Sequence, residues 1–339
     1  MFDKILAAIR FPTQGQACVL MYHRIADPHS DVWKIAVSPD NFEQQVQLLQ
    51  KKAAVIPLQD LVEAVAQKTV KKSYVALTFD DGYVDNFLVA KPILDHYNLP
   101  ATFFIASGNI DKSVEFWWDE LESVILFSEV LPSTFSATIA GEAFQVALED
   151  ERYLSSPLRL RQQLWNANTQ TPPTRRSALF LQLYHQLQPL SYQEQQLHLQ
   201  HIKHWAGIVA DTRPAYRSMS SAQLRSLSAS QLHDIGVHTV HHPALAFHPQ
   251  AYQRQELVEN RAFLEAISTK KVDLLAYPYG NYNHESVTVA ADIGFRAAFT
   301  TEAKAITNLA NRYQLGRFQV TNMPGPAFAR QLYQWQRSY

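Results

Sequence analysis

Two stretches of the chain hold the residues best suited to chemistry. The first is 75–86, VALTFDDGYVDN, where an apolar run ends in adjacent aspartates, Asp80 and Asp81, followed by Gly82. Neighbouring carboxylates repel each other and each is costly to bury, so a cation or a function must compensate. The second is 236–245, GVHTVHHPAL. His238 and His242 stand four apart, which on a helical turn would place two imidazoles on one face, as a metal site needs. His241, three from His238, is the competing choice. Two histidines and one carboxylate leave a coordination position open, the pattern of catalytic rather than structural zinc. If Asp81 ligates such a cation, the ion's charge lets Asp80 stay ionised beside it, free to act as a base toward water. Gly82 gives the turn backbone freedom near a substrate. A lone aspartate pair would read as a solvated helix cap; the histidines weigh against that.

These residues need a scaffold that brings distant segments together. Short apolar runs at 17–22, 53–58, 74–79 and 101–107 alternate with helical patterns, one of them capped by Ser38 with Pro39 at its first position. Runs at 235–238, 272–278, 295–301 and 313–320 resume the alternation. This rhythm predicts an α/β fold with a parallel sheet or barrel. In such folds functional residues gather at the C-terminal ends of strands. His23, Asp80, Asp81, His238, Tyr279 and Gly280 all stand there. Between the two halves the pattern turns largely helical, with Ser191 and Glu194 as a capping box. The expected organisation is an α/β domain over 17–114 and 213–325, a mostly helical insertion over 115–212, an N-terminal amphipathic segment over 1–16 and a C-terminal tail over 326–339.

Composition excludes several classes. Lys+Arg of 30 against Asp+Glu of 31 leaves a formal charge of −1, which speaks against a nucleic-acid partner. No stretch approaches the ~20 apolar residues of a membrane span. Phe2, Ile5, Leu6 and Ile9 share one helical face, which suits packing on the chain's own domain or peripheral docking at an inner membrane. The segment is a poor export signal, so a cytoplasmic location is expected. The single cysteine, Cys18, reads as a small buried hydrophobe.

The motifs LTFDDGY and HTVHHP resemble the first two motifs of the polysaccharide deacetylase family, carbohydrate esterase family 4, also called the nodulation-deacetylase homology domain. The flanks VLMYHRI, FWWDE and YPYGNY are similar to a bacterial surface-polysaccharide subgroup. The resemblance covers about 17–120 and 215–320. It implies a distorted (β/α)7-type, TIM-like barrel and a hydrolase that removes N-acetyl groups from glycans with Zn2+, or another divalent ion such as Co2+ or Ni2+. It implies Asp80 as general base and Asp81, His238 and His242 as metal ligands. The substrate would be an N-acetylated glycan, a lipid-linked oligosaccharide or a nucleotide sugar.

Two departures from the family pattern stand out. Its third motif, R-x-P-[YFW]-G, is matched by Pro278, Tyr279 and Gly280, but Ala276 replaces the arginine that orients the catalytic aspartate. Arg24, Arg217 and Arg317 are the candidate substitutes. The Tyr279 N–H is the expected oxyanion donor. The family's C-terminal histidine, which protonates the leaving amine, is also missing. Val19, Met21 and His23 alternate with Leu20 and Tyr22, so the first strand ends in a histidine, and His23 is expected to supply that acid. Tyr83, Trp117, Pro278, Tyr279, Gly280 and Arg217 are the expected substrate contacts, with Trp118, Tyr277 and Tyr282 as further aromatic candidates. The competing readings are a hydrolase of a small cyclic amide on the same scaffold and a glycan-binding homologue that has lost catalysis.

Overall fold

The computed structural model describes residues 15–70, 73–208 and 212–337. The apolar face of Phe2, Ile5, Leu6 and Ile9 lies outside them. The chain divides into two compact units: Met1–Asp27, Ile35–Lys112 and Ser218–Tyr339 form the first, and Pro28–Lys34 and Ser113–Arg217 the second.

Among the described residues the main sheet of the first unit has eight parallel strands, seven of them in one continuous run: β1 (Ala17–Tyr22), β2 (Tyr74–Phe79), β3 (Ala101–Ile105), β4 (His233–Val237), β5 (Leu274–Ala276), β6 (Ala297–Phe299) and β7 (Phe318–Gln319). Their order is β6-β5-β4-β3-β2-β1-β7. A parallel bridge from Phe299 to Leu315, just ahead of β7, brings the far edge of the sheet back toward its start. The result is a distorted α/β barrel, in line with the parallel sheet or barrel expected from the strand–helix rhythm and with the distorted barrel that the resemblance implies. The strand expected at 53–58 shrinks to Ala54–Val55. It pairs with the first two residues of β2, on the edge that β3 occupies from Thr78. Pro57 ends it, since a proline cannot donate to the ladder, and the helix Leu58–Ala66 follows at once.

The strands are mostly apolar because both faces are covered, with Thr78, Thr102, His233, Asp234 and Gln319 as the polar exceptions. In β1, Cys18, Leu20 and Tyr22 join the outer core beneath the helices. Ala17 and Val19 point into the barrel with Ala76, Phe104, Ala276 and Phe299. Leu58, Leu61, Val62 and Val65 of the helix Leu58–Ala66 complete that inner cluster. Side chains alternate along a strand. The alternation therefore carries His23 and Asp80, one residue past β1 and β2, onto the inner face.

The segment 326–339, expected as a tail, instead carries the helix Gly325–Trp335. Phe328, Ala329 and Leu332 are fully buried in the outer core. Their helical spacing, with Pro326 in the first turn, is the signal for it.

In the second unit, helices span Trp117–Phe127, Ser156–Leu164, Arg175–Leu187 and Tyr192–Ala206. The Ser191–Glu194 capping box is present. An antiparallel hairpin, Thr134–Ile139 with Glu142–Ala147, is the element that the helical expectation lacked. Its turn, Ala140 and Gly141, has both φ angles positive, at 52° and 84°, as a tight hairpin requires. Residues 28–34 also belong here: the Trp33 ring lies 4.3 Å from that of Tyr184. No helix among the described residues is long and apolar enough to cross a membrane.

Candidate functional site

Asp81, His238 and His242 converge. Their potential ligand atoms all lie within 4.8 Å of one another, and all three residues are buried. His238 Nε2 is 3.4 Å and His242 Nε2 3.2 Å from Asp81 Oδ1, an oxygen that accepts no hydrogen bond from the described residues. His238 Nδ1 donates to the Ala276 carbonyl at 2.8 Å, which leaves its Nε2 lone pair for a cation. A carboxylate oxygen and two imidazole nitrogens, buried and aimed at one point, fit a divalent ion with an open position. Burial opposes ionisation of Asp81, but His238 and His242 outweigh it and hold its carboxyl well below the usual range. Burial pushes the His242 imidazole down against the pull of Asp81, which favours the neutral, ligating form.

The histidines do not sit on a helical turn. Thr239 and His242 are left-handed, at φ 66° and 57°, and so are Asp81 at 72° and Tyr279 at 58°. Four of the ten left-handed non-glycine residues among the described residues therefore fall at this one place, where strain has a use. The helix Gln250–Ile267 holds the histidine loop through two residues one turn apart. Glu256 accepts from the Val240 and His241 N–H groups, at 2.9 and 2.8 Å, and from His241 Nδ1 at 2.7 Å. His241 is thereby turned away from the metal group. Asn260 Nδ2 donates to the carbonyls of Ile105 and Thr239 and to Ser107 Oγ. Neither residue was singled out by motif, although two polar side chains on a buried helix face are a readable signal.

Asp80 stands beside the group without joining it. Arg317 grips it bidentately, with Nη1 and Nη2 each 2.7 Å from a carboxylate oxygen. Arg317 is fully buried, and its Nε donates to the Thr300 carbonyl at 3.0 Å. Burial opposes ionisation of Asp80, but Arg317, then His238 and His23, hold its carboxyl below the ordinary value. The place of the absent motif arginine is thus taken from just ahead of β7. Arg24 pairs instead with Asp85 at 3.0 Å. Arg217 is half-buried in the second unit and donates to Thr212 Oγ1 at 3.1 Å.

The remaining expected residues fall into two sets. His23 is half-buried and electrostatically coupled to both aspartates. Pro278, Tyr279 and Gly280 form one tight turn, and the Tyr279 ring meets that of His242 edge-on at 4.4 Å. Tyr83, expected to meet substrate, is fully buried under the Arg24 guanidinium, 4.9 Å from its ring, and offers no open face. Trp117 is also a correction: only 4% exposed, it packs on Tyr184 at 5.1 Å in the second unit. Trp118 stacks on Phe116 at 4.5 Å, and Tyr277 is buried against Tyr282 at 4.9 Å.

Gly280 is left-handed at φ 63°, and a Cβ there would sit 2.0 Å from Thr301 Oγ1. Gly280→Ala is therefore expected to cost about 1–3 kcal/mol of stability, read as a lowered urea midpoint. An unchanged midpoint would contradict the close approach.

Comparison with known proteins agrees with this geometry. The family model for polysaccharide deacetylase matches residues 67–126 and 200–298, which contain both motifs. YxkH of Bacillus subtilis, whose name carries the same description, is 29% identical over 110 residues, 32% of this chain. That match spans only 38% of YxkH. Among solved structures, IcaB from Ammonifex degensii aligns with TM-score 0.56 at 18% identity, covering 96% of this chain and 99% of that one. BC0361, a polysaccharide deacetylase from Bacillus cereus, gives 0.57 at 17%, covering 95% and 69%. Streptococcus pyogenes deacetylase PplD, in complex with acetate, gives 0.52 at 18%, covering 93% and 97%. At these identities the structural likeness speaks for the fold alone. Both motif segments lie inside the matched regions, which span just under half of the chain, and their side chains gather in one place; by this measure the chain is similar to the polysaccharide deacetylase family.

Proposed function

We propose that the chain is a metal-dependent hydrolase that removes N-acetyl groups from a glycan or a glycan precursor. One observation carries the reading: Asp81, His238 and His242 present three ligand atoms to one point, with an arginine-held carboxylate, Asp80, next in sequence. The donor set suits Zn2+, with Co2+ or Ni2+ as alternatives. A divalent ion bound there supplies Lewis acidity to water and to an acetyl carbonyl.

The chain's own residues do the rest. Asp80 takes a proton from the attacking water, and Arg317 keeps its oxygens in a fixed plane. The Tyr279 N–H receives the carbonyl oxygen as it gains charge. His23 gives a proton to the departing nitrogen, without which an amine leaves poorly. Water and the acetamide become acetate and a free amino group. The substrate is an N-acetylated polysaccharide, or the same sugar on a lipid-linked or nucleotide carrier. The buried Asp80–Arg317 pair favours this reading over a homologue kept for binding alone, because a binder has no need of an oriented base.

Acetate release from N-acetylglucosamine oligomers tests it. Activity is expected to vanish on chelation and return with Zn2+, Co2+ or Ni2+. His238→Ala is expected to lose bound metal and activity together. Full acetate release from metal-stripped protein would refute the proposal.

A further inference from the structure

Beyond Asp80, Asp81 and the end of the LTFDDGY motif at Tyr83, the chain runs on through Val84 to Asp85 and Asn86. These last two are buried, and both turn back to the segment that carries His23. Asp80 N–H donates to the Tyr22 carbonyl at 2.9 Å. Asn86 Nδ2 donates to the His23 carbonyl at 2.7 Å and to Asp85 Oδ1 at 2.9 Å. Asp85 Oδ2 accepts from Arg24 Nε, and its Oδ1 from the Ile25 N–H, each at 3.0 Å. Four consecutive residues, Tyr22 to Ile25, are thus stitched to the loop that holds Asp80 and Asp81. Asn86 opens a five-residue π-helix, Asn86–Ala90, a wide turn that often marks a functional site.

The stitching matters because the His23 ring has no anchor of its own. His238 Nδ1 is fixed by a carbonyl and His241 Nδ1 by a carboxylate. His23 Nδ1 is buried and makes no hydrogen bond to the described residues; Asn86 Oδ1 is in the same position. A ring without its own acceptor is placed by its backbone, and that backbone is held by Asn86 and Asp85.

We infer that Asn86, with Asp85 and Arg24 behind it, is a positioning residue that sets His23 against the departing nitrogen. This rests on the proposed role of His23 as the acid. A misplacement of ~1 Å costs up to about 100-fold in rate.

The test is a double-mutant cycle on the metal-loaded full chain, with an N-acetylglucosamine oligomer and with p-nitrophenyl acetate as substrates. The amide needs a proton on its leaving nitrogen, whereas the phenolate leaves without one. Asn86→Ala and its isosteric counterpart Asn86→Asp are each expected to lower kcat on the oligomer by about 10–100-fold. KM and bound metal stay at wild-type levels, and ester hydrolysis falls far less. In a His23→Ala background neither adds a further loss. Ester hydrolysis also reports a folded, loaded site, and Asn86→Asp carries the cycle if the alanine variant does not fold. Multiplying losses, an equal loss on the ester, or wild-type amide turnover in both Asn86 variants would overturn the inference. Wild-type amide turnover in His23→Ala is a separate result, which would remove the acid itself.

Discussion

Asp80→Asn is expected to lower amide hydrolysis by about 10²–10⁴-fold while the protein still binds its metal. Asp80 is not one of the three converging ligands, and its oxygens face Arg317. Asparagine keeps the shape and removes the basic oxygen. It also leaves the buried Arg317 guanidinium short of an anion, so stability falls as well, and the assay belongs well below the variant's melting temperature. Metal stoichiometry measured on the folded fraction separates loss of base from loss of ion. A folded, metal-loaded variant that still turned over would place the base elsewhere.

Arg317→Met is expected to have the largest effect on stability. Removing one partner of a fully buried ion pair strands the other, at a cost of about 3–5 kcal/mol. The pH dependence should change sign with it. In the wild type the Asp80 carboxyl lies below its ordinary value. The stability it contributes is full above the unfolded pKa, about 4, and is lost as pH falls through the lower folded value. Without the guanidinium, burial raises the carboxyl instead, and stability is lost as pH rises through the unfolded value. Urea midpoints from about pH 2 to 8, with the acid limb of kcat/KM, would show both effects. A wild-type midpoint at neutral pH would mean that another group holds Asp80. Arg317→Lys should rescue only in part, since an ammonium cannot fork two oxygens.

Much of the scaffold is legible locally. β1 and β2 run over the same residues as their apolar runs, 17–22 and 74–79. Ser38 caps its helix as expected, accepting from the Asn41 N–H. What misled lay at element ends and in mixed patterns. The run at 313–320 yields a strand of two residues, because Leu315 and Arg317 belong to the connection that closes the barrel. The helical reading of the insertion hid a hairpin whose Ala140–Gly141 turn was its only strong marker.

The sequence by itself determined which side chains could do the chemistry. Residue type and spacing of two or four along the chain are local, and they suffice to place acids and imidazoles at strand ends. The tertiary structure alone decided their electrostatic neighbours. Three arginines were equal candidates to hold Asp80 until barrel closure set Arg317, 237 residues away, against it. The preference for His242 over His241, already implied by the motif, is realised by left-handed backbone and by Glu256 on a distant helix. Charge partners depend on distances through space, and those are set by sheet closure and helix packing.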